Sequence, residues 1–313
     1  MQRSDGRSFT SAQKGALPMK KHFRLARLLA LSLTLTLSFL PACTAETEAG
    51  DDPALAEGAS LRVMSYNILH PDWSRIPVKG RDEIVAEILL FYMPDVAAIQ
   101  EAGAKWHKAL APLLTDTGVY AAACRQSNAE GFIFNTTCFL YNPKTVVPIE
   151  EYILDLDFKD ASRVFSVAVF ERLSDGVRFV VTNTHPAPRD TPEKYARNMA
   201  DLTAFAAETV QKYADLPVIM AGDFNTPEQS DLYLSFMRQA GVKDAKYEAD
   251  ALVRNYSTYF GFRVAPNTEN TDYCVDHIFV NDHIDVKLFS AVIDHDVQNA
   301  SDHIPIYADL AFK

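Results

Sequence analysis

Short apolar runs and stretches of helical periodicity alternate along the chain from Ser60 to its end. Apolar and polar positions alternate at residues 61–68, which is typical of a half-buried strand. Further apolar or β-branched runs predict strands at residues 95–100, 137–141, 163–170, 177–185, 217–221, 275–280 and 304–311. Apolar residues at helical spacing predict helices at residues 81–92, 193–213 and 229–240, the first of which is stopped by Pro94.

These elements predict one α/β domain at residues 60–313. No Gly/Ser-rich or Pro-rich linker interrupts this stretch, and no internal repeat is visible in it. Its length of about 250 residues is enough to bury a large hydrophobic core.

The chain begins with the features of an export signal. A basic stretch starts at Met19 and is followed by an uncharged apolar run of 13 residues at 28–40. This run fits the apolar region of a signal peptide and is shorter than the roughly 20 residues of a membrane-spanning helix. The sequence leaves open whether translation starts at Met1 or at Met19.

The residues after the apolar run resemble a bacterial lipobox. In such a motif the thiol of the cysteine, here Cys43 directly after Ala42, is acylated and becomes the mature N-terminus. The alternative is an ordinary signal peptide that is cleaved near Ala42 or Ala45. We therefore predict a signal peptide at residues 1–43 and a lipid anchor on Cys43 that holds the protein at a membrane of the cell envelope.

The composition of the next segment and the net charge of the chain predict a tether and an acidic mature protein. Residues 44–59 are rich in Ala, Glu, Asp and Gly, and we predict a flexible acidic tether there. The whole chain has a net charge of −11. Loss of residues 1–43 removes seven basic residues and one acidic residue, so the mature chain carries −17, from 23 basic and 40 acidic groups. This balance argues against a protein whose affinity comes from nucleic-acid phosphates.

Four cysteines are present, and Cys43 is assigned to the lipid. The remaining three, Cys124, Cys138 and Cys274, allow at most one internal disulfide. A pair between Cys124 and Cys138 across a hairpin is one alternative, and three free thiols are the other. No cysteine or histidine spacing suggests a zinc site.

Polar residues recur at the ends of the predicted strands. Each alone has an ordinary explanation as a turn or cap residue, but their number favours a site where strand ends converge. They are Asn67, Gln100, Glu101, Asn183, His185, Asp223, Asn225, Asp276, Asp302 and His303.

The order of these motifs resembles the endonuclease/exonuclease/phosphatase superfamily, which shares the fold of pancreatic deoxyribonuclease. The segments YNI, IQE, NTH, GDFN, VDHI and SDH follow one another in that order, and the resemblance covers residues 61–312. It implies a four-layered α/β/β/α sandwich of two mixed β-sheets with flanking helices. It also implies cleavage of phosphoester bonds that depends on a divalent metal, at one active site on an edge of the sandwich.

The resemblance implies a metal site at Glu101, with Asn67 and Asp302 completing or approaching the ligand shell. Carboxylate oxygens are hard ligands suited to Mg²⁺, which keeps several waters and takes one or two carboxylates. We therefore expect Mg²⁺ as the cofactor, with Mn²⁺ or another divalent cation as the alternative.

The remaining matched residues imply the catalytic groups. Asp223 matches the carboxylate that orients or deprotonates the attacking water, and Asn225 can donate to a phosphoryl oxygen. His303 matches the catalytic histidine, and Asp276 matches the carboxylate that holds its tautomer. His185 matches a second histidine that contacts the phosphate, although Pro186 follows it where leucine is more usual.

A few further residues have weaker support. Arg163 and Arg197 could each contact phosphate, but ordinary ion pairs are the favoured interpretation. His277 should face away from Asp276 and have a structural role. The two tryptophans of the chain are expected to be packing residues, unless an exposed one stacks on a base or sugar.

The expected protein is an exported hydrolase of small phosphoesters, phosphodiesters or lipid head groups, and we expect it to be a monomer. A secreted nuclease of the same superfamily is the first alternative, which the negative charge disfavours. A surface-tethered binding module that has lost catalysis is the second, and the presence of all the matched residues disfavours it.

Overall fold

The structure is a computed structural model that describes residues 54–125, 136–156 and 163–313. The predicted signal peptide, Cys43 and most of the predicted tether lie outside the described residues, so the boundaries at residues 43 and 59 stay predictions. Within the described ranges, no helix has the length and apolar character that crossing a membrane requires.

Thirteen strands are present in the described residues. In chain order they are β1 Leu61–Asn67, β2 Val96–Gln100, β3 Ala121–Ala123, β4 Cys138–Tyr141, β5 Val146–Asp155, β6 Val164–Arg172, β7 Arg178–Thr184, β8 Val218–Asp223, β9 Lys243–Asp244, β10 Leu252–Arg254, β11 Asp276–Val280, β12 Ile284–Ala291 and β13 Ile306–Phe312.

Seven α-helices accompany the strands over the same part of the chain. They are α1 Pro71–Ser74, α2 Arg81–Tyr92, α3 Ala104–Leu110, α4 Pro192–Lys212, α5 Asp231–Ala240, α6 Ala245–Glu248 and α7 Val297–Ala300. A π-helical turn, Ala111–Thr115, continues α3, and a 3₁₀ turn, Thr271–Tyr273, precedes β11.

The strands form two mixed sheets. The seven-stranded sheet has the order β10-β12-β13-β1-β2-β4-β3, and the six-stranded sheet has the order β5-β6-β7-β8-β11-β9. β1 runs parallel to β2, and β7 runs parallel to β8. Most other pairs are antiparallel, so each sheet combines both directions as the sequence predicts.

The two sheets pack face to face, and helices cover their outer faces. On β6, Ala168 and Phe170 join the core shared with the seven-stranded sheet, whereas Val167 and Val169 join a second core. That second core also contains residues of α4 and α5. α2 and α3 contribute to the first core beside β1 and β2. The alternation along each strand therefore produces the four-layered sandwich that the sequence implied.

A buried amide ties the two sheets together. The Asn183 amide nitrogen donates to the carbonyl oxygens of Ile99 at 2.9 Å and Cys138 at 2.8 Å. The Gln100 amide donates to Asn183 Oδ1 at 2.7 Å. Asn183 is fully buried on β7, so its three hydrogen bonds link the six-stranded sheet to β2 and β4 of the other sheet.

The predicted elements are confirmed with shifts of one or two residues at most ends. The structure adds the strands β3, β5, β9, β10 and β12 and the helices α1, α3, α6 and α7. β5 contains Pro148 and two adjacent glutamates, a composition that disfavours a strand prediction. It lies at the edge of the six-stranded sheet, where an unpaired backbone side tolerates proline, and its pairing with β6 is irregular at that point. The edge position of β5 in the tertiary structure, and not its local sequence, therefore determines that this segment is a strand.

The three cysteines after Cys43 are buried, and none of them forms a disulfide bond with another. Cys124 donates toward the Val167 carbonyl oxygen at 3.3 Å, and Cys138 Sγ lies 3.8 Å from His107 Nε2. The alternative of a disulfide between Cys124 and Cys138 is therefore wrong for this structure. Burial raises the pKa of the Cys138 thiol to about 12, so it is protonated at neutral pH.

Candidate active site

The predicted site residues meet at one edge of the sandwich. β1 and β2 run parallel and pair Asn67 with Gln100 at their carboxyl ends. β7 and β8 also run parallel and end at the same edge, and β11 begins there with Asp276 opposite Asp223. Parallel strands bring their carboxyl ends together, so polar residues that are far apart in sequence become neighbours.

Close packing of the backbone at this edge explains a glycine of the GDFN segment. A Cβ atom at Gly222 would lie 2.5 Å from the Thr184 carbonyl oxygen on the adjacent strand β7. Only glycine lets β7 and β8 approach this closely, which brings Asp223 directly beside the end of β7.

Asn67 connects the carboxylates of the two sheets. Its amide nitrogen donates to Glu101 Oε1 at 3.1 Å and to Asp223 Oδ2 at 3.0 Å. Its oxygen accepts the backbone N–H of Leu69 at 3.0 Å. The amide therefore acts as a donor between two acidic groups, and its predicted role as a metal ligand stays a prediction.

Glu101 follows β2 in an uncommon backbone conformation. Its φ of 64° lies in the left-handed region, which is strained for a residue with a side chain. The carboxylate accepts the backbone N–H of His70. Burial raises the pKa of the Glu101 carboxyl, although the hydrogen bonds from His70 and Asn67 act in the opposite direction.

His303 and Asp276 form a buried pair. His303 Nδ1 lies 2.8 Å from Asp276 Oδ2, and the carboxylate accepts the Nδ1–H. His303 Nε2 lies 3.7 Å from Asp223 Oδ2. Burial lowers the pKa of His303, but the charges of Asp276 and Asp223 outweigh it and hold the pKa well above its ordinary value. The imidazole is therefore oriented and cationic at neutral pH.

A second histidine faces the same carboxylate. His185 Nε2 lies 3.4 Å from Asp223 Oδ2 and 3.9 Å from Glu101 Oε1. Burial, together with the charge of Arg163, lowers the pKa of His185 well below its ordinary value, so this imidazole is neutral. Burial raises the pKa of Asp223 to about 7, with His303 acting in the opposite direction.

Asn225 and Asp302 complete the predicted set. The Asn225 backbone N–H donates to Asp223 Oδ1 at 2.9 Å, and its side-chain amide donates to the Pro186 carbonyl oxygen at 3.1 Å. Asp302 lines the same cleft, and the Ser301 hydroxyl beside it donates to the Asn67 carbonyl oxygen at 2.7 Å. All eight predicted site residues are therefore gathered at this edge.

The residues fit a divalent cation. Glu101, Asp223 and Asp302 present hard oxygen atoms to one small region, and burial opposes the charge of the first two. A bound cation would offset this cost, because buried carboxylates are stable when paired or when they coordinate a metal. A second possible set of ligand atoms comes from Asp223, Asp276 and His303, which lie within 4.8 Å of one another. Asp276 and His303 already bond each other, so we assign that pair to proton handling.

The site opens into a cleft of about 760 Å³. Four residues that line it, Trp73, Arg163, Arg189 and Tyr259, reach it from outside the matched motifs. The Arg163 guanidinium lies 5.1 Å from the centre of the Trp73 ring, and its NH1 donates to the carbonyl oxygens of His185 and Pro186. Arg163 therefore lines the site, and the favoured interpretation as an ordinary ion pair stays a prediction.

The other weak candidates lie outside the cleft. Arg197 is exposed on α4 and does not line it. Trp106 is fully buried, and its indole N–H donates to the Leu69 carbonyl oxygen. His277 is buried and faces Asp244 at 3.4 Å, on the far side of β11 from the pair just described. The structural role predicted for His277 agrees with these contacts.

Comparisons with known proteins identify the family. Residues 64–303 match the Endonuclease/Exonuclease/phosphatase family, and the chain belongs to it. Members of this family are hydrolases of phosphoester bonds. Among curated proteins, the chain is similar to the CCR4-Not complex 3'-5'-exoribonuclease subunit Ccr4 of Yarrowia lipolytica. The two are 23% identical over 81% of this chain and 48% of that protein, so the chain spans about half the length of this relative.

Solved structures share the fold. A mannosyl-6-phosphatase of Bacteroides thetaiotaomicron is similar with a TM-score of 0.65 and 18% identity, covering 81% of this chain and 100% of that one. The human Nocturnin catalytic domain with a bound sulfate anion is similar with a TM-score of 0.63 and 19% identity, covering 83% of this chain and 96% of that one.

Proposed function

We propose that the protein is a divalent-metal-dependent phosphoester hydrolase in which Asp223 and His303 assist the attack of water on phosphorus. The observation that carries this proposal is the arrangement of His303 between two carboxylates. Its Nδ1 bonds Asp276 at 2.8 Å, and its Nε2 lies 3.7 Å from Asp223 at the base of an open cleft. A histidine oriented by one carboxylate therefore lies beside a second carboxylate that can accept a proton.

Asp223 is suited to orient the attacking water and take its proton. Asn67 and the backbone N–H of Asn225 hold its two oxygens in place, so the carboxylate has a fixed direction. A pKa near 7 allows the group to accept a proton during the reaction and release it afterwards near neutral pH.

His303, His185 and Arg163 are suited to bind the anionic phosphoryl group. The cationic His303 can donate its Nε2–H to a phosphoryl oxygen, and the guanidinium of Arg163 lines the same cleft. Neutral His185 can donate a hydrogen bond without adding charge. Fixed donors that face developing negative charge stabilise the transition state of phosphoryl transfer.

Mg²⁺, or Mn²⁺ as the alternative, held by Glu101 with Asp302 and Asn67, would supply positive charge to the phosphoryl group and lower the pKa of bound water. The chemistry of these oxygen donors and the burial of Glu101 support the assignment. Cysteine and histidine groupings typical of structural zinc are not among the matched residues.

The test is hydrolysis of p-nitrophenyl phosphate and bis-p-nitrophenyl phosphate with Mg²⁺ or Mn²⁺ and with EDTA. We expect turnover with metal, loss of turnover in EDTA, and a loss of at least about a hundredfold in kcat for His303→Ala. His283→Ala is the matched control, because this histidine does not line the cleft. Absence of metal-dependent turnover on every phosphoester tried would contradict the proposal and favour a binding module.

For the substrate, we propose a small phosphoester or a lipid head group. The acidic mature chain, at −17, and the similarity to a mannosyl-6-phosphatase support a small substrate. A nuclease is the second candidate, which the similarity to an exoribonuclease favours. A panel of sugar phosphates, inositol phosphates, sphingomyelin, RNA and DNA separates the two, and higher kcat/KM on RNA or DNA would overturn the preference.

We also propose that the protein is exported and held at a membrane of the cell envelope through a lipid on Cys43, acting as a monomer. The basic stretch, the apolar run at residues 28–40 and the small residue before Cys43 support this. Mass spectrometry of the purified protein would detect an acylated Cys43 at the N-terminus. An unmodified Cys43, or a cleavage elsewhere, would contradict the anchor, and size-exclusion chromatography checks the monomer.

A further inference from the structure

The catalytic pair is built from two different sheets. Asp276 is the first residue of β11 in the six-stranded sheet, whereas His303 lies just before β13 in the seven-stranded sheet. No ladder of strand hydrogen bonds joins these two strands. Contacts other than a strand ladder must therefore hold the two side chains 2.8 Å apart.

The side chain of Asp276 has few contacts that could hold the pair in place. Its Oδ2 accepts from His303, and its Oδ1 is buried without a hydrogen-bond donor among the described residues. The direction of the carboxylate is therefore set by His303 and by the backbone that carries it. What fixes this backbone also fixes the pair.

On the Asp276 side, Thr258 holds this backbone in addition to the ladder that pairs Asp276 with Asp223 of β8. Its hydroxyl oxygen accepts the backbone N–H of Val275 at 3.0 Å and that of Asp276 at 3.1 Å, and the hydroxyl donates to the Tyr273 carbonyl oxygen at 3.3 Å. One donor and two acceptor positions are all that a hydroxyl offers. The Thr258 hydroxyl is therefore used completely by the segment that leads into β11.

The backbone of the same residue fixes the His303 side. The Thr258 carbonyl oxygen accepts the N–H of Ile304 at 2.9 Å, and the next residue, Tyr259, forms a β-bridge with His303. Phe260 then donates its N–H to the Asp302 carbonyl oxygen at 3.0 Å. One short segment thus holds the loop of His303 with its main chain. It holds the residues that lead into β11 with the Thr258 hydroxyl and with the N–H groups of Thr258 and Tyr259, which donate to the Tyr273 carbonyl oxygen at 3.1 and 3.0 Å. The bonds to the N–H groups of Val275 and Asp276 themselves come from the hydroxyl.

We infer that Thr258 is a positioning residue that holds Asp276 and His303 in register across the two sheets. This inference rests on the proposed function, because the pair has its role in phosphoester hydrolysis. Thr258 is 4% exposed and does not line the cleft, so it acts through the pair without touching the substrate. Misplacement of a catalytic group by about 1 Å can cost about a hundredfold in rate.

The test compares Thr258→Val, which keeps the shape and removes the hydroxyl, with Thr258→Ser, which keeps the hydroxyl. We expect Thr258→Val to lower kcat on p-nitrophenyl phosphate or its diester by about 10- to 100-fold with KM changed less than about threefold. We expect Thr258→Ser to stay within about threefold of the unmodified protein in both constants. Circular dichroism confirms that each variant is folded.

Thr203→Val is the matched control. Thr203 is also a buried threonine whose hydroxyl donates to a backbone carbonyl, that of Met199, but it lies on α4 away from the cleft. It should lose some stability and keep its kcat. Equal losses of kcat in Thr258→Val and Thr203→Val, or in Thr258→Val and Thr258→Ser, would show a merely structural role and overturn the inference.

A spectroscopic readout does not require turnover. The Nδ1 proton of a histidine bonded to a carboxylate gives a downfield resonance, which His303→Ala identifies by its disappearance. We expect this resonance in the unmodified protein and in Thr258→Ser, and expect it to be shifted upfield or broadened in Thr258→Val. An unchanged resonance in Thr258→Val overturns the inference, whatever substrate the protein hydrolyses.

Discussion

Asp276 fixes the orientation of His303 and stabilises its protonated form. Its carboxylate accepts the Nδ1–H at 2.8 Å and leaves Nε2 directed at Asp223. An asparagine at this position removes a charge that holds the imidazole cationic, and its N–H₂ group can face Nδ1 in place of an acceptor. Geometry and charge of a single side chain thus determine the state of the catalytic group.

We predict that Asp276→Asn lowers kcat by about 10²- to 10⁴-fold with little change in KM. Steady-state kinetics on a phosphoester with Mg²⁺ measures this. Asp250→Asn, at an exposed residue that pairs with Lys287, should leave kcat unchanged. A drop of less than about threefold in Asp276→Asn would show that the carboxylate does not set the orientation and protonation of His303.

His277, which directly follows Asp276 on β11, is a histidine with a structural role. Successive side chains of a strand point to opposite faces, so His277 faces Asp244 and the aromatic cluster of Tyr233 and Phe279. Burial lowers the pKa of His277, but the hydrogen bond and charge of Asp244 outweigh it, so the pKa lies above 6.5.

A raised folded-state pKa means that protonated His277 stabilises the fold. The contribution is complete below the unfolded-state pKa of about 6.5 and is lost as pH rises through the higher folded-state value. We predict that the difference in free energy of unfolding between the unmodified protein and His277→Gln shrinks from pH 6 to pH 9. Urea denaturation in EDTA measures it, and a difference that is independent of pH would contradict the assignment.

At the scale of elements, one buried amide contributes three hydrogen bonds to the contact between the two sheets. Asn183 makes three buried hydrogen bonds to β2 and β4. Replacement by an apolar side chain removes the amide donor from the carbonyl oxygens of Ile99 and Cys138 and removes one of the three acceptors of the Gln100 amide. Each polar group that loses its partner in the core costs about 1–3 kcal/mol.

We predict that Asn183→Leu lowers the free energy of unfolding by about 3 kcal/mol or more. Chemical denaturation followed by circular dichroism measures the loss. Asn299→Leu on the exposed face of α7 should change it by less than about 0.5 kcal/mol. Similar values for the two variants would show that the inter-sheet amide is replaceable.

The elements themselves were largely predictable, because most central strands are short runs buried at every position and the longer helices have apolar residues at helical spacing. α2 begins and ends where the pattern predicts, at Arg81 and Tyr92. β5 was not predictable, because its exposed edge position permits Pro148 and adjacent charged residues. Local pattern reports burial, and an edge strand is buried on one side at most.

At the scale of the molecule, the site concentrates negative charge in a mature chain that is already acidic. Asp223 and Asp276 are buried there, as is most of the side chain of Glu101, and nearby cationic groups such as His303 offset only part of their charge. Such an arrangement costs free energy unless a cation binds. Stability should therefore depend on divalent metal.

We predict that Mg²⁺ raises the melting temperature, with a gain of about 2.7 kcal/mol at a hundredfold excess over Kd, and that EDTA reverses it. Glu101→Gln removes a carboxylate whose charge burial disfavours, so it should be more stable than the unmodified protein in EDTA and respond less to Mg²⁺. Differential scanning calorimetry checks both. An equal Mg²⁺ response in the variant would show that Glu101 is not a ligand.

The sequence by itself determined the family, the order of the elements and the eight matched site residues. Strand-end positions carry this information because polar side chains there have no role in packing a core. Asn67 and His303 are found this way although 236 positions separate them.

Only the tertiary structure decided which other residues serve the site and what each polar group does. Trp73, Arg163, Arg189 and Tyr259 line the cleft, three of them from loops and Trp73 from the four-residue helix α1, and no periodicity marks such positions. Thr258 lies in a similar irregular segment, where its role depends on hydrogen bonds to residues of two sheets. These roles come from contacts between segments distant in sequence, and the packing of the two sheets creates those contacts.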